Sequence, residues 1–265
     1  MFLIRSERIR LASAVRPSRE GRPGQTTLER RFAAAGENLN ASRRKLLRLI
    51  LENTGDTFFL SSYAVLKAAS KEKRTVADRI RHAMDMDLRN LQALQSSLNA
   101  EKIIALSKQV KRARRILIVG IDLAAGLSWH LAYGLMTLGF AAEAPVGSTG
   151  NVQRRVRTLT REDLLIAISF GQCLRDTVEA ALRAKKLGVP TFGVTDSETT
   201  PIARICDDSC MASVASPSFG GSYVAPLSLL GTILIACAHT QTARSLELLR
   251  RSEVEDLADH RWYHA

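Results

Sequence analysis

Four stretches share one chemistry: VGIDLAAG at 119–126, ISFGQCLRDT at 168–177, GVTDSETTP at 193–201 and ASPSFGGSYVA at 215–225. Each begins where an apolar run stops, and each supplies glycines or hydroxyls. Ser169, Gly171, Thr195, Ser197, Thr199, Ser218, Gly220, Gly221 and Ser222 can approach a common crevice. Hydroxyls together with the free amides of a helix N-terminus suit a phosphate and need no metal. One such loop is what any turn requires; four of the same kind favour a site. Gly120-Ile121-Asp122 lacks the G-x-G-x-x-G spacing, and no Walker loop occurs. Dehydrogenase and P-loop ATPase chemistry are therefore not expected, nor is a nucleotide cofactor.

Other reactive side chains are sparse. Moving a proton between adjacent carbons needs a base, and His130, Glu143, Asp176 and His239 are the candidates. Both histidines fall on apolar helical stretches and read as packed residues, while Asp176 reads as a helix cap. Cys206 and Cys210 stand four apart with no second Cys or His pair nearby, which does not make a zinc site. They read as half-buried thiols at a strand edge. With Cys173 and Cys237 they do not form a disulfide framework in 265 residues. Gln153-Arg154-Arg155-Val156-Arg157 reads as a solvated helix face, with phosphate contact as the alternative. Trp129 reads as a packing residue, and Trp262 belongs with the two histidines of HRWYHA to a frayed tail, a weak metal signal.

The elements that must position the loops alternate. RILIVG, FAAEAP, LLIAISF, PTFGVT and CMASVA read as strands, and the segments between them mostly as helices. DTVEAALRAKKLG is an amphipathic helix closed by Gly188, PIARI a short helix begun by Pro201, and YVAPLSLLGTILIACAHT a long apolar one. That rhythm specifies an α/β fold, a parallel sheet with helices on both faces. Before it, VADRIRHAMDMDLRNLQALQSSL predicts a long helix with Ile80, Met84, Leu88, Leu91, Leu94 and Leu98 on one face, a connector or a dimer seam. RRKLLRLILEN and TFFLSSYAVLKAA predict helices further upstream, and residues 1–27 read as a disordered basic tail.

Charge is uneven. The net charge is +12, and residues 1–75 hold 16 Lys and Arg against 7 Asp and Glu. A basic first quarter on a nearly neutral body points to a polyanion at that end. The longest apolar stretch, 225–238, is interrupted by Ser228, Gly231 and Thr232, so no membrane span is expected. With no secretory leader recognised, the expected location is the cytoplasm.

The loop ISFGQCLRDTVEAA, the stretch AKKLGVPTFGVTDSETTPIARICDDS and SPSFGGSYVAPLSLL together resemble a SIS domain, the sugar-isomerase fold, over residues 103–242. With its basic helical N-terminus, the chain over 28–249 resembles an RpiR-family transcriptional regulator. The resemblance implies a phosphosugar effector held by Gly120, Asp122, Ser169, Gly171, Gln172, Cys173, Thr177, Ser218 and Ser222. It also implies a homodimer or homotetramer, DNA as partner and no catalysis. Two departures stand out. The family's Ser-x-Ser-Gly-x-Thr loop is here Ser169-Phe170-Gly171-Gln172-Cys173-Leu174, with only the first hydroxyl kept. The first loop has Asp122 where the family has Gly, and that carboxylate opposes an anion.

The implied organisation is a truncated helix-turn-helix domain at 28–75, a helical linker at 76–102, the SIS domain at 103–242 and a terminal helix and tail at 243–265. No recognition helix of the Thr-Val-x-Arg type follows the first helix. Arg43, Arg44, Lys45, Lys71, Lys73 and Arg74 are left to meet DNA phosphates, which positions a protein without reading bases. The alternatives are a sugar-phosphate isomerase on the same fold and a partner of intact paralogues that does not itself bind DNA.

Overall fold

Strands buried on both faces favour unbroken apolar runs, and two segments show this plainly. Ile116–Val119 (β1) and Leu164–Ile168 (β3) are buried throughout. The computed structural model describes residues 75–145, 149–171, 173–217 and 221–258. Ala142–Glu143 (β2), Thr191–Thr195 (β4) and Asp208–Met211 (β5) complete a sheet of order β2-β1-β3-β4-β5. Every pairing is parallel, with Ile116 beside Leu164 and Leu165 beside Thr191.

Alternation along the strands sorts side chains into two cores. Ile116, Ile118, Leu164, Ile166 and Phe192 face one way. Helices Ala100–Arg112 (α2) and Ala124–Thr137 (α3) cover them, with Leu106 and Leu131 at the centre. Leu117, Val119, Leu165 and Ala167 face the other way, under helices Thr149–Arg157 (α4), Arg175–Lys186 (α5) and Pro201–Ile205 (α6). The last two helices, Val224–Thr240 (α7) and Thr242–Ala258 (α8), follow β5. Leu229 and Ile233 bring α7 into the first core. The small residues Ala180, Ala181 and Ala184 let α5 lie close on the sheet, and Gly188 ends it in left-handed backbone (φ 73°) as expected.

The long helix Val76–Ser97 (α1) starts with a reciprocal cap: the Asp78 amide donates to Thr75 Oγ1 and the Thr75 amide to Asp78. Of its apolar face, Leu94 is buried and Leu91 and Leu98 pack beside it. Ile80, Met84 and Leu88 stay about 60 % exposed. Where α1 docks, a buried polar residue fixes it: Asn90 Nδ2 donates to the Ala215 carbonyl (2.8 Å) and Ser213 Oγ to Asn90 Oδ1 (2.9 Å). This tie also explains why β5 covers 208–211 and not the expected 210–215. The Ala212 amide makes a last bond to Thr195, after which Ser213 and Ala215 turn to Asn90.

Several expectations are corrected. Cys206 and Cys210 are fully buried rather than half-buried and belong to opposite cores, separated by the sheet. Burial pushes Cys206 up to about 12 and Cys210 to about 11. His130 and His239 are exposed, not packed, and Trp129 is exposed and stacked on Tyr133 at 5.2 Å. Asp176 lies in the first turn of α5, whose N-cap is Leu174. The arginine run is an outer helix face, as expected, with Arg155 paired to Glu143 at 2.7 Å. No group of three or more His, Cys, Asp or Glu among the described residues is arranged to hold a metal, and no single described helix is long and apolar enough to cross a membrane. The upstream helices, Trp262, Arg43, Arg44, Lys45, Lys71, Lys73 and Arg74 lie outside the described residues.

Candidate functional site

Because β1 leads outward to β2 on one side and the chain resumes at β3 on the other, the sheet order reverses between β1 and β3. A crevice must open there at the carboxyl ends of the strands. It does, as a cleft of about 280 Å³, close to the roughly 300 Å³ at which small-molecule pockets begin. The turn after β1 contributes Asp122 and Leu123. The turn after β3 contributes Ser169, Phe170, Cys173 and Leu174, α5 its first residue Arg175, and α7 its N-cap Tyr223.

Backbone geometry shapes the floor. Gly120 lets the first turn of α3 come down on β1, since a Cβ there would run into the Ala124 carbonyl. Gly171 is left-handed (φ 62°), and its amide donates to Asp196 Oδ1 at 2.7 Å, tying the β3 turn to the end of β4. Ser169 Oγ accepts from the Leu174 amide (3.3 Å), so the hydroxyl closes its own loop. Asp122 (φ 59°) and Cys173 (φ 53°) are the two non-glycine residues with positive φ among those described, and both line the cleft. Strain of that kind gathers at working sites.

Charge in the cleft is mixed. Arg175 and the N-terminus of α5 supply positive potential. Asp122 opposes it from within the cleft, and Asp122 and the nearby Asp196 both act on Tyr223. Burial first, then these two carboxylates, push the Tyr223 hydroxyl above its usual pKa, so it stays a donor. Phe170 meets the Tyr223 ring at 5.6 Å and 59° to form an apolar wall. The arrangement can hold a small anion beside Arg175 and contact an apolar or sugar-ring face at Phe170 and Tyr223.

Of the expected ligand residues, Asp122, Ser169 and Cys173 line the cleft, and Gly120 and Gly171 shape its turns through backbone. Thr177 does not line it. It is fully buried on the sheet side of α5, and its hydroxyl has no hydrogen-bond partner. Ser222 does not line it either; it accepts from the Val224 amide (3.4 Å) at the start of α7. Gln172 and Ser218 lie outside the described residues. Sequence reasoning missed Phe170, Arg175 and Tyr223. An aromatic just before an apolar helix and an arginine at the first helical position were the available signals.

Residues 109–238 match the SIS domain. The sugar isomerase domain of the RpiR transcription factor from Sphaerobacter thermophilus is 30 % identical over 64 % of this chain and 96 % of its own, with a TM-score of 0.61. The Vibrio vulnificus NanR protein complexed with ManNAc-6P is 16 % identical over 88 % of this chain and 98 % of its own (TM-score 0.61). Phosphoheptose isomerase GmhA from Neisseria gonorrhoeae is 20 % identical over 62 % and 98 % (TM-score 0.51). The last two likenesses concern the fold.

Proposed function

The chain belongs to the SIS-domain family, and we propose that it is a cytoplasmic transcriptional regulator of carbohydrate metabolism of the RpiR type, whose SIS domain senses a sugar phosphate. The observation that carries this reading is the 30 % identity to the sugar isomerase domain of an RpiR transcription factor, over 96 % of that domain. The cleft supports it: Arg175 and the α5 N-terminus favour an anion, and Tyr223 and Phe170 offer a flat wall to a sugar. The basic excess in residues 1–75 supports a DNA partner.

On this reading the protein is not an enzyme. Moving a proton between adjacent sugar carbons needs a base at the substrate. Of the base candidates, His130, Glu143, Asp176 and His239 are not among the residues lining the cleft, and Glu143 is engaged by Arg155; Asp122, which does line it, is assigned to ligand binding. The mechanism is allosteric: ligand in the cleft shifts the arrangement of a homodimer or homotetramer, and with it the spacing of the DNA-binding ends. The exposed Ile80, Met84 and Leu88 on α1 and Ile235 on α7 provide apolar surface for that assembly.

The test is DNA binding by the full chain across a salt series, on its own upstream region and on scrambled DNA, with and without a panel of sugar phosphates. Preference for the upstream region that shifts with one sugar phosphate is expected. Equal, steeply salt-dependent binding to both DNAs would remove the specific-regulator reading and leave a SIS partner of other regulators. Turnover of a sugar phosphate would replace the regulator with an isomerase.

A further inference from the structure

Asp122 does not suit a pocket for a bare anion. It stands just past β1 in left-handed backbone, exposed, and lines the same cleft as Arg175. Neither residue is in an ion pair among the described residues. A position that only had to turn the chain would be served by glycine, with no strain and no charge. Asp196 adds a second carboxylate nearby, held on the Gly171 amide and close enough to act on Tyr223. The cleft thus sets the Asp122 carboxylate, with Asp196 behind its floor, against one guanidinium and the fractional positive charge of a helix end. A phosphate alone gains from the second pair and loses to the first. A ligand that also carries a cation gains from both.

We propose that the cleft takes a sugar phosphate bearing a free, protonated amino group, with its phosphate on Arg175 and the α5 N-terminus and its ammonium on Asp122. This rests on the phosphosugar reading above and narrows it to one chemical class. Asp122 is the residue that sets the specificity: a hydroxyl can also donate to its carboxylate, but only an ammonium adds the attraction of opposite charges. An N-acetylated sugar keeps an N–H donor but has lost the cation, and so gains less from it.

The experiment is calorimetric titration of the full chain with matched pairs that differ in one group: glucose and glucosamine 6-phosphate, mannose and mannosamine 6-phosphate, galactose and galactosamine 6-phosphate. It is run below the pKa of the amines and repeated with Asp122→Asn. Asparagine tolerates left-handed backbone, so the variant keeps the turn, and an unchanged melting temperature verifies that. The amino member of at least one pair should bind about tenfold tighter than its hydroxyl twin. Asp122→Asn should bring the two together. Binding that is equal within every pair would overturn the amino-group inference and leave the phosphosugar reading standing. An amine preference that survives in Asp122→Asn would overturn the role of Asp122. If no member of any pair binds the wild-type protein, the phosphosugar reading falls, and this inference with it.

Discussion

Replacing Thr177 with valine should stabilise the protein. Thr177 sits in the first turn of α5 with no exposed surface, next to the alanines that pack on the sheet. Its Oγ1 has no hydrogen-bond partner, although a helical threonine ordinarily bonds a carbonyl one turn back. Burying a hydroxyl unpaired costs about 1–3 kcal/mol. Valine has the same branched shape, so Thr177→Val exchanges that hydroxyl for a methyl without a cavity. Set against a small difference in helix preference, the net gain should be about 1 kcal/mol, or roughly 2–4 °C in melting temperature for a domain of this size. Urea unfolding monitored by circular dichroism, with the slope against denaturant unchanged, is the assay. Affinity for a sugar phosphate should not move, since Thr177 does not line the cleft. A variant less stable by 1 kcal/mol or more, or one that keeps its stability and loses ligand affinity, would refute the reasoning by showing that the hydroxyl is engaged.

In the native protein Cys173 should react first with a thiol reagent, as the one described cysteine not fully buried. Cys206, Cys210 and Cys237, pushed by burial to about 12, 11 and 12, should react only on unfolding. Mass spectrometry of the labelled peptides checks this, and Cys173→Ser should abolish the fast phase. Asp163 is buried at the start of β3. Burial alone would raise its pKa, but hydrogen bonds from Arg114 (3.0 Å) and the Thr160 amide (2.7 Å) prevail and hold it below the usual carboxylate value. Its stabilisation is therefore complete above the unfolded pKa of about 3.9 and is lost as pH falls through the lower folded value. Asp163→Asn should cost about 2–3 kcal/mol near neutrality and flatten the acid limb of a stability–pH curve. Asn90→Ala should cost about 1–2 kcal/mol by removing the acceptor of the Ser213 hydroxyl and the donor to the Ala215 carbonyl, and should speed hydrogen exchange in the second half of α1.

The sheet was legible because its chemistry is local. ILIV and LLIAI are apolar at every position, and only a strand covered on both faces needs that. Strand ends were less legible where long-range polar ties decide them. β5 stops at Met211 because Asn90, more than a hundred residues earlier in the chain, takes up the backbone beyond it, and periodicity cannot register one buried asparagine. The burial of the histidines was misread for a related reason. The stretches of α3 and α7 around His130 and His239 are apolar nearly all round, so hydropathy gives no sign of which face is left exposed.

The site was legible in position and only partly in composition. Parallel strands whose order reverses between β1 and β3 must leave a crevice there, whatever side chains surround it. Asp122, Ser169 and Cys173 line that crevice because they directly follow the two strands. Thr177 follows the same strand but has entered the helix, and helical rotation turns it onto the core. Phe170 and Tyr223 escaped notice because their contact at 5.6 Å joins elements more than fifty residues apart. Loss of the loop's second and third hydroxyls, at Gly171 and Leu174, therefore leaves the cleft where it was. Its floor is held by backbone, through the Gly171 amide on Asp196 and the close approach at Gly120. What the substitutions change is the charge a ligand meets there, and in this chain that charge includes Asp122.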